Sequence, residues 1–480
     1  MFKLLAGVLS ASVTGLGLLA PLPASAAPAW CPVVPGHTVS CGTLDRPLLS
    51  SRPDLGTTPV GYALVRRARI TQPAAGTVMV NPGGPGASTI AMAPLFTAAL
   101  ASLLPDHDLL LIDTRGTGRS GPITCGTGQP YGRASADAVA ACAAALGPAA
   151  AAYTSATIAD DFEAVRAKLS IGKVSLYGLS YGSYLMSIYA QRHPAAVRSI
   201  VLSGGLAISH DPLWRDSAHT TSATLRRVCA RSAACDGDAA VRDLSATAKR
   251  LRARPITVTA DGRSIAFGET ELAIMAGSGA SSMAGAQPQA VPLLGKLPRA
   301  LHESARGNHA RLKELAASVF LPPAADAALH IAVMCNDFPR PWAVQASAAE
   351  RERQFTRAFR KARGRFGAFS PLGYGAATMT SACLKWPAHQ PHTSTGRFPD
   401  VPVLGVAADL DATTTVHSTR QAARQYRSAS FLRVPNMGHV AEYDPSGCVT
   451  GITADFIRHG RLGDTSCLAG MPPVKAEPVP

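Results

Sequence analysis

Val174-Ser175-Leu176-Tyr177-Gly178-Leu179-Ser180-Tyr181-Gly182 is the stretch from which the fold of this chain is read. Its first half is a short β-branched and aromatic run. Its second half is Gly-x-Ser-x-Gly, and an apolar, helix-like stretch, 183–191, follows. A strand that turns sharply into a helix leaves the intervening serine on a tight turn, with its hydroxyl projecting from the sheet edge. Glycines on both sides let strand and helix approach closely enough to hold that turn. The bare motif is common in a chain rich in Ala, Gly and Ser, so the weight rests on its flanks.

The flanks repeat one pattern. Before the motif, Val60-Gly61-Tyr62-Ala63-Leu64-Val65, Thr77-Val78-Met79-Val80 and 108–113 read as strands. Ile158, Phe162, Val165 and Leu169 recur at helical spacing, which predicts a helix over 157–169 with Thr157 as its cap. After the motif, Ser199-Ile200-Val201-Leu202 is the next strand. Strands alternating with helices predict an α/β fold with a mainly parallel sheet and helices on both faces. From 207 to 395 the alternation stops and Ala/Arg-rich helix formers dominate, which predicts an inserted helical cap. The α/β pattern resumes over 396–470, with strands at 401–406 and 430–434 and a closing helix at 449–459. The core is therefore expected in two parts, 27–206 and 396–470. The Pro-rich end, 471–480, is expected to fray.

A serine hydroxyl needs a base to become a nucleophile, and the base needs an orienting carboxylate. On this fold the partners follow in the order serine, acid, histidine. Asp411 lies in Ala408-Asp409-Leu410-Asp411-Ala412-Thr413, just after one late strand. His439 lies in Asn436-Met437-Gly438-His439, just after the next. Both positions sit at the sheet edge that carries Ser180. Asp409 competes with Asp411 and is expected instead to cap or solvate the strand end. Asn81-Pro82-Gly83-Gly84-Pro85-Gly86 follows a strand at the same edge. Proline has no N–H, so Gly83 or Gly84 is the expected oxyanion donor there, with the Tyr181 amide as the second. A phosphate-binding reading of that loop fails, because no Lys-Ser/Thr follows and no dinucleotide fingerprint is present.

Taken together, Asn-Pro-Gly-Gly-Pro-Gly (81–86), Asp-Thr-Arg-Gly-Thr-Gly-Arg-Ser (113–120), Gly-Leu-Ser-Tyr-Gly (178–182), Leu-Asp-Ala-Thr-Thr (410–414) and Gly438-His439 resemble the tripeptidyl aminopeptidase branch of the proline iminopeptidase family of α/β-hydrolases. Cys383-Leu384-Lys385-Trp386-Pro387 and the Cys448/Cys467 pair resemble that branch's C-terminal region. The resemblance covers nearly the whole chain after residue 26. It implies an α/β-hydrolase fold with a helical cap, a secreted serine exopeptidase releasing short peptides from substrate N-termini, and no cofactor. Ser180, Asp411 and His439 take the triad positions, and the Gly83-Gly84 turn takes that of the oxyanion loop. Two positions depart from the family pattern: Thr415 stands where proline is usual, and Ser203 where the family commonly has Asp. An exopeptidase must hold the substrate ammonium, and Glu269, Glu271 and Asp337 are the candidate carboxylates. A secreted carboxylesterase or lipase would use the same triad, and a catalytically silent binding protein is a further reading.

Residues 1–26 read as a secretory signal: Lys3, an apolar run over 4–22, then Ala24-Ser25-Ala26. The alternative is an N-terminal membrane anchor. With the signal removed, a secreted, extracellular monomer acting on peptide and independent of membrane and nucleic acid is expected. All ten cysteines lie beyond residue 26, an even number that argues for disulfides. Their spacing suggests five neighbour pairs, Cys31–Cys41, Cys125–Cys142, Cys229–Cys235, Cys335–Cys383 and Cys448–Cys467. No metal is expected, since C-x-x-C and H-E-x-x-H are missing and His389 and His392 flank Pro391 in a loop-like stretch. The formal charge is +15. Arginine outnumbers lysine 37 to 9, and the basic residues are mostly scattered. One cluster, 351–365, surrounds Phe355 and Phe359 and is expected to be a solvated helix face; anionic-surface or nucleic-acid binding is the other reading.

Overall fold

The computed structural model describes residues 28–125, 135–320, 327–387 and 396–480. The expected signal segment and His389 and His392 lie outside the described residues. Eight strands form the main sheet: β1 (Val39–Leu49), β2 (Arg52–Val65), β3 (Gly76–Asn81), β4 (His107–Ile112), β5 (Val174–Leu179), β6 (Val197–Ser203), β9 (Val403–Ala408) and β10 (Ala429–Val434). A two-stranded hairpin, β7 (Ile256–Ala260) and β8 (Arg263–Phe267), stands apart. The sheet order is β1-β2-β4-β3-β5-β6-β9-β10. β1, β2 and β4 pair antiparallel, and every pairing from β4 through β10 is parallel.

The central strands are apolar at nearly every position because both of their faces are covered. Along β4, Leu110 and Ile112 join one buried cluster and Leu109 and Leu111 the other. The first cluster continues into the region between β6 and β9, through residues such as Leu294, Leu301 and Phe359. Described residues of that region form mainly helices, and the β7–β8 hairpin is an addition that the sequence reading did not include.

Three expectations are corrected. The helix over 157–169 instead spans Ser155–Lys168, and its cap is Thr154, which accepts from the Thr157 amide at 3.1 Å. Thr157 answers from the third helical position, so the two threonines form a reciprocal capping box. The end of the chain lies against the cap rather than free: Glu477 N–H donates to Gly295 O at 2.9 Å, Val479 N–H donates to Ala234 O at 3.0 Å, and Val474 is buried. In the basic cluster, Phe355 and Phe359 are buried as expected, but Arg351 is buried with them. It donates to the Ala346 and Trp386 carbonyls, so it stitches the cap instead of facing solvent.

The five disulfides join the ten cysteines as sequence neighbours: Cys31–Cys41, Cys125–Cys142, Cys229–Cys235, Cys335–Cys383 and Cys448–Cys467. Among the described residues no single helix is long and apolar enough to cross a membrane.

Candidate active site

Ser180 stands between β5 and the helix Tyr181–Arg192, at φ 54° and ψ −125°. A non-glycine residue there is strained, and the surroundings must enforce it. They do so through the flanking glycines. A Cβ on Gly178 would collide with the Gly182 carbonyl, and one on Gly182 would collide with the Asn81 carbonyl of β3. The Ser180 amide is pinned to Ser203 O, at the end of β6, at 2.8 Å.

His439 comes to this serine from the loop after β10. Its Nε2 is 2.9 Å from Ser180 Oγ, and its Nδ1 is 2.7 Å from Asp411 Oδ2. Asp411 lies beyond β9 and is 1% exposed, yet its carboxylate is fully served. Oδ1 accepts from the Thr413 and Thr414 amides at 2.7 and 2.9 Å, and Oδ2 accepts from Thr414 Oγ1 at 2.7 Å. Burial alone would lower the His439 pKa, but the Asp411 and Glu442 carboxylates outweigh it and hold it above the ordinary histidine value. Asp409, the rival acid, does not reach the histidine. It is buried rather than solvated, pairs with Arg231 at 2.5 Å and accepts from the Asn436 amide at 3.0 Å.

The cap also holds the histidine loop. Gly438 N–H donates to Ala284 O and His439 N–H to Ser281 O, each at 2.8 Å. A Cβ on Gly438 would collide with the Ser281 carbonyl, so glycine before the histidine is a steric requirement of this contact.

The 81–86 loop lies against the elbow. A Cβ on Gly83 would stand 3.1 Å from the Tyr181 amide nitrogen and 3.1 Å from Ser180 Cβ. Gly83 N–H itself donates to Asn81 Oδ1 at 3.0 Å, so it is engaged within its own loop. The 113–120 motif is scaffolding for this loop. Asp113 accepts from Ser88 Oγ and the Ile90 and Arg119 amides at 2.8–3.0 Å. Arg115 makes a buried two-pronged pair with Asp161, both contacts at 2.7 Å.

The three candidate ammonium anchors separate. Glu269 accepts from Ser370 N and Oγ at 2.7 and 2.6 Å and from Arg252 at 3.0 Å, all within the cap. Glu271 accepts from the Gly268 amide at 2.8 Å, as a helix cap. Neither carboxylate is brought to Ser180 by these contacts. Asp337 is different. It ends the cap helix Ala328–Asp337, is 2% exposed, and accepts from the Ser155 amide at 2.5 Å. Ser155 Oγ is 2.7 Å from the hydroxyl of Tyr181, the residue after the nucleophile. Burial outweighs the Ser155 bonds and the nearby Arg340, and pushes the Asp337 pKa up to about 6.

Two further groups escaped the sequence reading. Thr414 Oγ1 lies 2.9 Å from His439 Nδ1 while donating to Asp411, and so bridges acid and base. Its only signal was its place in Leu-Asp-Ala-Thr-Thr. Glu442, which accepts from Ser203 Oγ at 2.6 Å, had no signal at all.

Comparison with known proteins agrees with this architecture. The alpha/beta hydrolase fold family matches residues 76–234, and the TAP-like protein family matches 370–467. Serine protease Hip1 of Mycobacterium tuberculosis is 28% identical over 233 residues, 42% of this chain and 43% of that protein. The tripeptidyl aminopeptidase of Streptomyces lividans is 30% identical over 161 residues, 29% of this chain and 30% of that protein. Proline iminopeptidase of Neisseria meningitidis is 33% identical over 111 residues, 23% of this chain and 28% of that protein. The matched part thus spans less than half the length of each of these relatives. The matched segments carry both the serine elbow and the acid and histidine loops, so the chain has the α/β-hydrolase fold and is similar, over those segments, to the tripeptidyl aminopeptidases and proline iminopeptidases.

Proposed function

We propose that this protein is an exported serine peptidase that removes short peptides from substrate N-termini through an acyl-enzyme. The observation that carries this reading is the continuous chain from Ser180 Oγ to His439 to Asp411, at 2.9 and 2.7 Å. His439 Nε2 takes the Ser180 proton as Oγ attacks the scissile carbonyl. The carbonyl π electrons move to oxygen, and Asp411 and Thr414 hold the imidazolium in place. The Tyr181 amide and an amide of the Gly83-Gly84 turn receive the oxyanion. His439 then returns the proton to the departing amine, and water repeats the sequence on the acyl-enzyme. No cofactor enters these steps.

Peptide is favoured as substrate by the names of the relatives, a serine protease, a tripeptidyl aminopeptidase and a proline iminopeptidase. Asp337 is the proposed ammonium anchor. A carboxylate kept in a buried place at a cost in solvation, one hydroxyl away from Tyr181, is a functional-site signature. Ten cysteines in five disulfides fit an oxidising, extracellular compartment.

The test is a pair of tripeptidyl anilides, identical except for N-acetylation. The free-amine form is expected to be cleaved far faster, because an acetylated end offers no positive charge to the buried Asp337 carboxylate. Equal rates, or hydrolysis of short acyl esters without any anilide cleavage, would replace the exopeptidase with an esterase.

A further inference from the structure

Close to His439 lies a polar group that the triad chemistry leaves unused. Ser203 ends β6 and is fully buried. Its Oγ donates to Glu442 Oε2 at 2.6 Å. Glu442 belongs to the short turn of helix Ala441–Tyr443, three residues past His439. Tyr177 of β5 is buried with its hydroxyl beside the same carboxyl. Three elements thus converge on one carboxyl.

That carboxyl is tied to the segment that shapes the base. Gly204 follows Ser203, has φ 55°, and faces His439: a Cβ there would come 3.3 Å from His439 Cε1 and 3.5 Å from Nδ1. The end of β6 is therefore the wall against which the imidazole rests. The bond from Ser203 to Glu442 fastens that wall to the loop carrying the imidazole.

We propose that Glu442 is a positioning residue for His439, which locks the histidine loop onto the end of β6 through Ser203 and places a second negative charge behind the imidazolium formed during turnover. The proposal rests on the Ser180–His439–Asp411 reading. The charged and polar groups facing His439 are Asp411 and Thr414 at Nδ1, Ser180 at Nε2, and Glu442. Those facing Glu442 are Ser203, Tyr177 and His439. The sign is fixed by this arrangement. A negative charge near the imidazole favours its protonated form, so removing it eases deprotonation.

Two variants separate tether from charge. Glu442→Gln keeps an acceptor for Ser203 and removes the charge. Ser203→Ala keeps the charge and removes the tether. In the kcat/KM against pH profile of the full protein with a free-amine anilide, Glu442→Gln should shift the acidic limb to lower pH. It should also lower the plateau kcat severalfold, with KM little changed. Ser203→Ala should lower the plateau while leaving the limb near its original place. The His439 imidazole, titrated by NMR in a Ser180→Ala background, should show the same downward shift on Glu442→Gln. An acidic limb and a His439 titration that superimpose on those of the unaltered protein would overturn the proposal and leave the triad reading intact. A wild-type protein that hydrolyses no acyl substrate would instead remove the triad reading, and the NMR titration would still decide the role of Glu442.

Discussion

Ser180 stands in a backbone conformation that serine does not choose, at φ 54°, and this is the residue-scale fact on which the chemistry turns. The motif made the serine, its two glycines and its glycine-preceded histidine legible, because each answers to a steric demand that only one residue type meets. Of the two acids weighed, Asp411 lies beside His439, while Asp409 is taken by Arg231 rather than by solvent. Glu442 was illegible, since nothing local marks a carboxylate whose partner lies 239 positions away. Asp337 was visible only as one acid among three. The role proposed for Asp337 gives a prediction at this scale. An Asp that ionises near pH 6 binds an ammonium only in its charged form, so affinity for a free-amine peptide should tighten as pH rises through about 6. It should weaken again once the amine itself deprotonates, near pH ~8. Calorimetric titration of a Ser180→Ala variant with such a peptide should show that rise, and Asp337→Asn should flatten it. An unchanged profile in Asp337→Asn would remove Asp337 as the anchor.

The core strands were readable as elements because a strand covered on both faces is apolar throughout and its ends carry turn residues. The cap was readable only as a region. The β7–β8 hairpin is half exposed and short, so its pattern does not stand out from the helix formers around it. The cap nevertheless reaches the core near the candidate site twice, through the Ser281 and Ala284 carbonyls on the histidine loop and through Asp337 on the Ser155 amide. The second contact depends on a covalent tie: Cys335, two residues before Asp337, is joined to Cys383 across a separation of 48 residues. Loss of such a bridge costs about 2–5 kcal/mol. A Cys335→Ser, Cys383→Ser double variant should therefore melt earlier than the oxidised protein and should lose affinity for free-amine substrates more than for N-acetylated ones. Equal losses for the two substrates would mean that the bridge supports the fold without supporting the amine site.

At the scale of the whole molecule, one sheet edge gathers groups far apart in sequence, and this follows from topology. β5, β6, β9 and β10 run parallel, so the turns after them emerge at one end. Ser180, Ser203, Asp411 and His439 all leave strands at that end, where sheets of this kind place their sites. The shared edge was inferred from the place of each motif just after a strand, while the order of the strands in the sheet was not read from the sequence. The packing of the end of the chain against the cap was not, because a Pro-rich tail looks the same in sequence whether it is docked or frayed. The central claim is that this shared edge activates one serine out of all those in the chain. It is tested most directly by treating the protein with a fluorophosphonate, which phosphonylates activated serines with loss of fluoride, and mapping the modified peptide by mass spectrometry. The account predicts a single adduct on Ser180, abolished in Ser180→Ala and strongly slowed in His439→Ala. An adduct on any other residue, or labelling undiminished in Ser180→Ala, would contradict it.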